Sequence, residues 1–413
     1  MSWFTIALAL ATLGGADKSA QDKQDKKDAK DEQRSWTISA DVVYTASGDP
    51  IKNGEVTVSN GKISSVSPGG GGELKCAAVT PGMVDLSIRI DRGFYSVEQS
   101  REVTPEMRVA ATLDMFDEQW KSQAKSGVTT AMVNAPDRNV VGGLSVVLKT
   151  AGEKSVAART VKADAVLYGA IGGAPSQGNH PAFGRPEDFY SRRPTTRMGV
   201  EWEWRKAFYD AAAARTDLAK ATAGTPQLES VLEGKLPLMI EAWTTQDIRT
   251  AVFLKEEMER EGLGHPILIV DAAAEGWKEP QLLVRSKASV VLPPFPPQGR
   301  TSDNSFFAWD TAKLLDSLGI PVALSGHGET AVGARLDRQA GFAMRGGMSL
   351  DAALRAVTIN PARMAGVEQR VGSIEGGKDA DLVLWNGQPF EATSRVVGVL
   401  IDGRLILDPR SQN

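Results

Sequence analysis

Residues 356–389 read AVTINPARMAGVEQRVGSIEGGKDADLVLWNGQP, and this stretch decides the fold class of the chain. Its second half is typical of strands and turns, because GKDADLVLW at 377–385 alternates polar and apolar residues after a glycine turn. VVGVLIDGRLI at 396–406 continues the same pattern. The chain therefore ends in short β-strands, after a long region whose pattern is different.

The other end of the chain also predicts short strands. WTISADVVYTASG at 36–48 and GEVTVSNGKISSV at 54–66 alternate in the same way, and Asn60-Gly61 is a strong hairpin signal. Neither end alone has enough strands to bury a sheet face. We therefore predict one composite β-sandwich domain built from residues 36–80 and 366–408.

Residues 81–365 alternate strand patterns with helix patterns. Apolar strands such as MVDLSIRI, PLMIEAW and PVALSG are each followed by a segment with helical periodicity. Repeated strand–helix units over this length predict an α/β fold whose parallel strands close into a (β/α)8 barrel of the TIM type.

The first long helix of this region is predicted from its cap and its apolar spacing. Thr104 can cap a helix that begins at Pro105. Val109, Leu113, Phe116 and Trp120 then recur at helical spacing and should form one buried face. Gly127 should end the helix, with VTTAMV following as a strand.

Four segments together resemble the amidohydrolase superfamily, in particular its imidazolonepropionase-like branch. They are the 356–389 segment, VTPGMVD at 79–85, GVTTAMV at 127–133 and PTTRMG at 194–199. The resemblance extends over residues 36–408. It implies a hydrolase that cleaves non-peptide C–N bonds in small cyclic amides with the help of zinc.

The metal-binding positions implied by this resemblance carry other residue types in this chain. Ser87 and Arg89 stand for the His-x-His pair of the first barrel strand, Tyr168 for the carboxylated lysine of the fourth, Glu241 and Asp271 for histidines of the fifth and sixth, and His327 for the aspartate of the eighth. A hydroxyl is a poor zinc ligand and a guanidinium has no lone pair to offer. With only three histidines in the chain, the sequence predicts a degenerate site that holds no metal cofactor.

Three arrangements of these residues remain open. Arg89 can replace the positive charge of the metal and pair with Glu241 or Asp271, since a guanidinium–carboxylate contact is the strongest pairing available to a buried acid. Glu241, Asp271 and His327 can form a remodelled site for one metal ion. The third arrangement is a set of solvated residues at strand ends.

Two functional hypotheses follow from these positions. The favoured hypothesis is a metal-free pseudoenzyme that binds a small molecule or a partner protein at Ser87, Arg89, Tyr168, Glu241, Asp271 and His327. The alternative is an active hydrolase with the remodelled metal site. His327 is the candidate catalytic residue.

The remaining features concern location and partners. The apolar run in residues 1–16 resembles a signal peptide, and residues 17–35 form a charged segment that we predict to be a disordered linker. We therefore expect a secreted protein, periplasmic or extracellular, whose mature chain has no integral membrane segment. A net charge of −4 argues against a nucleic-acid partner, the single Cys76 excludes an intrachain disulfide, and self-association is left open.

Overall fold

The computed structural model describes most of the chain from residue 35 to residue 412. The described residues are 35–88, 98, 100–177, 194–295, 306–327 and 334–412. The predicted signal peptide, residues 17–34 of the predicted linker, Arg89 and His180 lie outside these ranges. Within the described ranges, no helix has both the length and the apolar composition needed to cross a membrane.

Seventeen strands are assigned in the described residues: β1 (Trp36–Val43), β2 (Ile51–Ser59), β3 (Lys62–Pro68), β4 (Leu74–Pro81), β5 (Met83–Ile88), β6 (Val128–Val133), β7 (Val141–Leu144), β8 (Val146–Lys149), β9 (Thr160–Lys162), β10 (Leu167–Ala170), β11 (Leu238–Glu241), β12 (Leu268–Asp271), β13 (Ser289–Leu292), β14 (Val322–Leu324), β15 (Leu382–Trp385), β16 (Val396–Ile401) and β17 (Arg404–Leu407).

The α-helices of the same residues are α1 (Glu118–Lys125), α2 (Val156–Arg159), α3 (Ala174–Gln177), α4 (Arg197–Ala214), α5 (Thr225–Leu232), α6 (Thr245–Arg260), α7 (Pro280–Ser286), α8 (Thr311–Ser317), α9 (Leu336–Arg345), α10 (Leu350–Ala356) and α11 (Ile359–Ala365). Short 3-10 helices cover Val109–Thr112, Leu218–Lys220 and Pro409–Gln412.

One seven-stranded sheet combines strands from both ends of the chain, in the order β17-β16-β15-β4-β1-β2-β3. β4 lies between β1, with which it is parallel, and β15, with which it is antiparallel. The predicted hairpin is confirmed, since Asn60 and Gly61 have φ angles of 52° and 75° between β2 and β3, as a type I′ turn requires. The domain boundaries and the sandwich form stay predictions.

The middle of the chain has the predicted α/β pattern. β10 to β14 are successive parallel neighbours in one sheet, and β5 and β6 are parallel neighbours in another. Helix α6 begins where the sequence predicts it, because the Thr244 side chain accepts a hydrogen bond from the Asp247 amide. The strands that position polar residues at their carboxyl ends are therefore assigned correctly from the sequence.

Inward-facing side chains of both sheets meet in one hydrophobic cluster. Eight strands each contribute to it: Val84, Met132, Val147, Tyr168, Met239, Ile269, Val291 and Ala323. Ile240, the neighbour of Met239 in β11, belongs to the larger cluster instead. This alternation is expected when successive side chains of a strand point to opposite faces.

The predicted helix between Pro105 and Gly127 is wrong in its first part. Val109–Thr112 forms only a short 3-10 helix, the α-helix α1 begins at Glu118, and Phe116, which was expected in the core, is 65% exposed. The side chain of Asp114 accepts a hydrogen bond from the Phe116 amide, and Asp117 caps α1 through the Gln119 amide. Such short polar side chains satisfy backbone groups in a turn and compete with the helix.

Candidate functional site

Five of the six predicted site residues lie together at the carboxyl ends of the parallel strands. Ser87 is near the end of β5, Glu241 and Asp271 are the last residues of β11 and β12, and His327 follows β14. Tyr168 lies in β10, two residues before the end of that strand. All except His327 are almost fully buried. Carboxyl ends of parallel strands meet at one edge, which is why residues far apart in sequence converge here.

Hydroxyl groups are paired with carboxylates throughout this site. The Tyr168 hydroxyl lies 2.6 Å from Glu241 Oε2 and 3.1 Å from Asp271 Oδ2. Ser87 Oγ donates to the same Asp271 oxygen at 2.7 Å. Because a hydroxyl has a single proton, Tyr168 gives it chiefly to the closer Glu241 oxygen. Burial of these carboxylates thus depends on hydroxyl donors, since a buried acid is costly without them.

Two aromatic rings complete the described part of the site. Trp243 Nε1 donates to Glu241 Oε1 at 2.7 Å, and its indole meets the His327 ring edge to face at 5.7 Å. His327 Nε2 lies 3.5 Å from Asp271 Oδ1, which also accepts from the Ala272 amide at 2.9 Å. The imidazole is therefore placed beside a carboxylate, as an acid–base group would be.

Asp85 connects β5, the first of these strands, by hydrogen bonds to the segment that follows β14, the last of them. Its Oδ1 accepts hydrogen bonds from Ser325 Oγ at 2.6 Å and from the Ser87 amide at 3.1 Å. Its Oδ2 accepts from the Gly326 amide at 2.8 Å. The Ser325 hydroxyl in turn accepts from the His327 amide at 2.9 Å. The carboxylate thereby fixes Ser87 and the backbone at His327, whose φ of 49° is left-handed.

The charge state of Asp85 should give the protein a measurable pH dependence. Burial raises the pKa of Asp85, against hydrogen bonds from Ser325, Gly326 and Ser87 that lower it. An acid whose pKa is raised on folding contributes most stability below its unfolded pKa of about 3.9 and loses that contribution as the pH rises. We therefore expect the unfolding free energy of wild type relative to Asp85→Asn to fall as the pH rises above about 4.

Urea unfolding of both proteins at a series of pH values measures this difference. Asp217→Asn is the control, because Asp217 is exposed and its side chain also accepts a backbone N–H, that of Ala219. A wild-type advantage that grows with pH from about 4 to 7 would show that the hydrogen bonds outweigh burial at Asp85.

The donor set of the described site does not fit zinc. Zinc in proteins takes imidazole, thiolate and carboxylate ligands, with about four in a closed site. Here His327 is the one imidazole among the described site residues, and Ser87 and Tyr168 direct their protons at carboxylate oxygens. Glu241 and Asp271 already accept hydrogen bonds from Tyr168, Ser87 and Trp243.

Sequence reasoning missed three residues of the site. Each lies two positions from a predicted residue: Asp85 before Ser87, Trp243 after Glu241 and Ser325 before His327. Asp85 and Ser87 both belong to β5, where residues two apart point the same way, so the period of the strand was a signal for Asp85. Trp243 and Ser325 lie beyond the ends of β11 and β14, where this period gives no signal. Arg89 lies outside the described residues, so its pairing with Glu241 or Asp271 stays a prediction. His265 is exposed, away from the site, as expected.

Comparisons with known proteins find similarity to amidohydrolases. The sequence profile of the amidohydrolase family matches residues 285–406. A crystal structure of an amidohydrolase from Thermotoga maritima MSB8 is similar, with a TM-score of 0.77 and 28% identity over 90% of this chain and 99% of that one. "Amidohydrolase tasK" of Hapsidospora irregularis is 25% identical over 343 residues. That match covers 75% of this chain but 34% of the fungal protein, so the chain spans about a third of its length.

More distant structures share the fold alone. A Xaa-Pro dipeptidase with methionine bound in its active site has a TM-score of 0.53 at 15% identity, over 90% of this chain and 99% of that chain. A molinate hydrolase has a TM-score of 0.52 at 15% identity, over 92% of this chain and 96% of that chain.

Proposed function

We propose that this chain, which carries an amidohydrolase family domain at residues 285–406, binds a small polar ligand at the carboxyl ends of its strands without a metal ion. One observation carries the proposal: hydroxyl protons occupy the carboxylate oxygens at metal-ligand positions. Ser87 Oγ and the Tyr168 hydroxyl both lie within hydrogen-bond distance of Asp271 Oδ2. These neutral hydroxyl donors stabilise the buried carboxylates by hydrogen bonding instead of by the charge of a cation.

The proposal includes a closed (β/α)8 barrel and a composite β-sandwich. Closure is supported by the inward cluster to which eight strands contribute and by the hydrogen bonds that join Asp85 of β5 to Ser325 and Gly326 after β14. Barrel interiors are filled by side chains from every strand in this manner. The sandwich is supported by the sheet that both chain ends share.

The ligand class that suits this site is a small cyclic amide. Carboxylates such as Glu241 and Asp271 accept the N–H groups of such a ring, and the Trp243 and His327 rings offer flat surfaces for its faces. Sites of this kind are apolar with a few fixed polar groups. The sequence leaves open a second possibility, in which a partner protein binds at the same edge in place of a small molecule.

Hydrolysis is the second candidate function. His327 Nε2 lies 3.5 Å from Asp271 Oδ1, so the pair could hold and move a proton between a ligand and the carboxylate. The remodelled metal site of Glu241, Asp271 and His327 belongs to this alternative, in which a bound metal ion would polarise the amide carbonyl.

One experiment with two measurements separates these functions. Protein grown with added zinc is first analysed for metals, and we expect far less than one metal ion per chain. Hydantoin and succinimide are then offered as probes, with binding followed by ligand-observed NMR and ring opening by chromatography. We expect binding without ring opening. Ring opening would establish the hydrolase instead, and one metal ion per chain that is lost in His327→Ala would establish the remodelled metal site and contradict the metal-free proposal.

A variant localises the binding. Asp271→Asn should weaken probe binding by about tenfold to a hundredfold, since a hydrogen bond to a charged group contributes about 1.5–3 kcal/mol. Asp217→Asn is the surface control and should bind as wild type does. If neither hydantoin nor succinimide binds the wild-type protein, the proposed ligand class is contradicted.

Export stays part of this proposal. The apolar run of residues 1–16 supports cleavage and release into the periplasm or the extracellular space. N-terminal sequencing of the exported protein tests it, and a mature chain that still carries residues 1–16 would contradict it.

A further inference from the structure

A second cavity lies between the end of β8 and the hairpin turns of the seven-stranded sheet. Its volume is about 470 Å³, within the range of small-molecule pockets. It is lined by the turn at Gly61, the turn at Gly403, the 151–153 segment after β8, and α2. It shares no residue with the site at the strand ends.

Most charges around this cavity are balanced among themselves. Lys149 Nζ is buried and lies 2.7 Å from Asp381, 2.9 Å from Asp379 and 3.0 Å from Asp402. Lys62 and Arg370 add two further ion pairs with Asp379, at 2.5 Å and 2.9 Å. Three cations therefore meet three carboxylates. We call this set the Lys149 cluster: Lys62, Lys149, Arg370, Asp379, Asp381 and Asp402.

Arg159, the last residue of α2, takes part in none of the ion pairs of the Lys149 cluster. It lines the cavity and is only 7% exposed. Among the described residues, no carboxylate lies within salt-bridge distance of its guanidinium. Burial lowers the pKa of Arg159, and no neighbouring acid offsets that effect. A buried charge without a counter-charge is costly, so such charges are normally paired.

The guanidinium is held in place by the backbone of the neighbouring loop. Nε donates to Glu153 O at 2.6 Å, Nη2 to Gly152 O at 3.0 Å and Nη1 to Thr150 O at 3.3 Å. An arginine has five N–H groups, so the three carbonyls leave two for another acceptor. The fixed fork is suited to a carboxylate or a phosphate, which it binds through two oxygens.

Other parts of the wall are apolar. Ile401 and Ile406 from the seven-stranded sheet, together with Ala151 and Ala158, line the same space. The volume exceeds what an inorganic ion would fill, and these side chains suit the uncharged part of an organic molecule.

We propose that this cavity is a second binding site, for a small organic anion whose carboxylate or phosphate group pairs with Arg159 and whose apolar part contacts Ile401 and Ile406. The anion supplies the counter-charge that Arg159 lacks among the described residues. The competing role for Arg159 is to hold the loop at residues 150–153 through its three carbonyl contacts, without any ligand.

Isothermal titration of the full-length protein with three probes tests the proposal. Benzoate and phenyl phosphate carry the two anionic groups, and benzyl alcohol is their neutral counterpart. At constant ionic strength we expect at least one anion to bind about tenfold more tightly than the alcohol, equivalent to about 1.4 kcal/mol. The anion that binds more tightly shows whether Arg159 binds a carboxylate or a phosphate group.

Replacing Arg159 itself could unfold the loop, so the decisive variant is at Ala158. Ala158 is exposed on α2 and lines the cavity. Ala158→Glu places a carboxylate beside Arg159 and should abolish anion binding while the protein stays folded. Ala158→Gln has the same size without the charge and should bind the anion as wild type does.

Three results would overturn the proposal. One is that no probe binds the wild-type protein. Another is that benzyl alcohol binds as tightly as both anions, which would show that charge is not recognised. The third is that folded Ala158→Glu binds the anion with wild-type affinity. Each would leave Arg159 with the loop-holding role alone.

Discussion

Replacing Lys149 by methionine is expected to lower the free energy of unfolding by about 3–5 kcal/mol, the usual effect of removing one side of a buried ion pair. Methionine keeps the length of the side chain, so the loss is one of charge. Asp381 is affected most, because it is 4% exposed, whereas Asp379 keeps Lys62 and Arg370. Burial raises the pKa of Asp381 even with Lys149 present.

Urea unfolding of three variants tests the Lys149 cluster. Lys206→Met removes an exposed lysine that pairs with Asp210 on α4, and it should change stability by no more than about 0.5 kcal/mol. Lys149→Met combined with Asp381→Asn should be more stable than Lys149→Met alone, since the unpaired charge is gone. A double variant no more stable than the single one would contradict this account.

The stability difference between wild type and Lys149→Met has a defined pH dependence. Burial alone lowers the pKa of Lys149, but Asp381, Asp402 and Asp379 outweigh it and raise the pKa above its ordinary value. A base whose pKa is raised on folding contributes its full stability below the unfolded pKa of about 10.4. The stability difference between wild type and Lys149→Met should therefore include the full contribution of the Lys149 charge at neutral pH and lose that contribution above about pH 10.

Tyr168→Phe is expected to destabilise the protein by about 1.5–3 kcal/mol, although it removes a single oxygen atom. The ring stays in the inward cluster, so packing is preserved. Glu241 Oε2 loses its donor at 2.6 Å, whereas Asp271 Oδ2, 3.1 Å from the same hydroxyl, keeps the Ser87 hydroxyl as a donor. Leaving a buried charged acceptor without its donor costs more than the hydrogen bond itself contributes.

The chain provides a matched control for Tyr168. Tyr209 on α4 also donates its hydroxyl to a glutamate, Glu257, at 3.0 Å, but this contact is exposed. Tyr209→Phe should change the unfolding free energy by less than about 0.5 kcal/mol. Equal effects of the two substitutions would mean that the Tyr168 hydroxyl does not stabilise the buried carboxylates.

Several features of the site were predictable because they depend on strand position alone. Ser87, Glu241 and Asp271 stand at or near the ends of strands whose apolar runs are visible in the sequence, and the ends of parallel strands meet. Their partners were not predictable. Whether the Tyr168 hydroxyl reaches Glu241 at 2.6 Å depends on the relative height of neighbouring strands, which no sequence pattern encodes.

The features that the sequence analysis predicted wrongly or missed also have physical causes. Phe116 has helical spacing from Leu113 and Trp120, but the aspartates nearby satisfy the backbone in a turn instead. The ion pairs of Lys149 were not predicted, because its partners Asp381 and Asp402 lie more than two hundred residues further along the chain. Contacts of such long range leave no local signal.

The central place of β4 in the seven-stranded sheet also determines how long the nascent chain is vulnerable during translation. β4 ends at Pro81, and its neighbour β15 begins only at Leu382. At about 5–20 residues per second, the edge of β4 waits for roughly 15–60 s before its partner is made. An unpaired strand edge recruits strands of other chains. We therefore expect that a product truncated before these final strands aggregates through the exposed edge of β4.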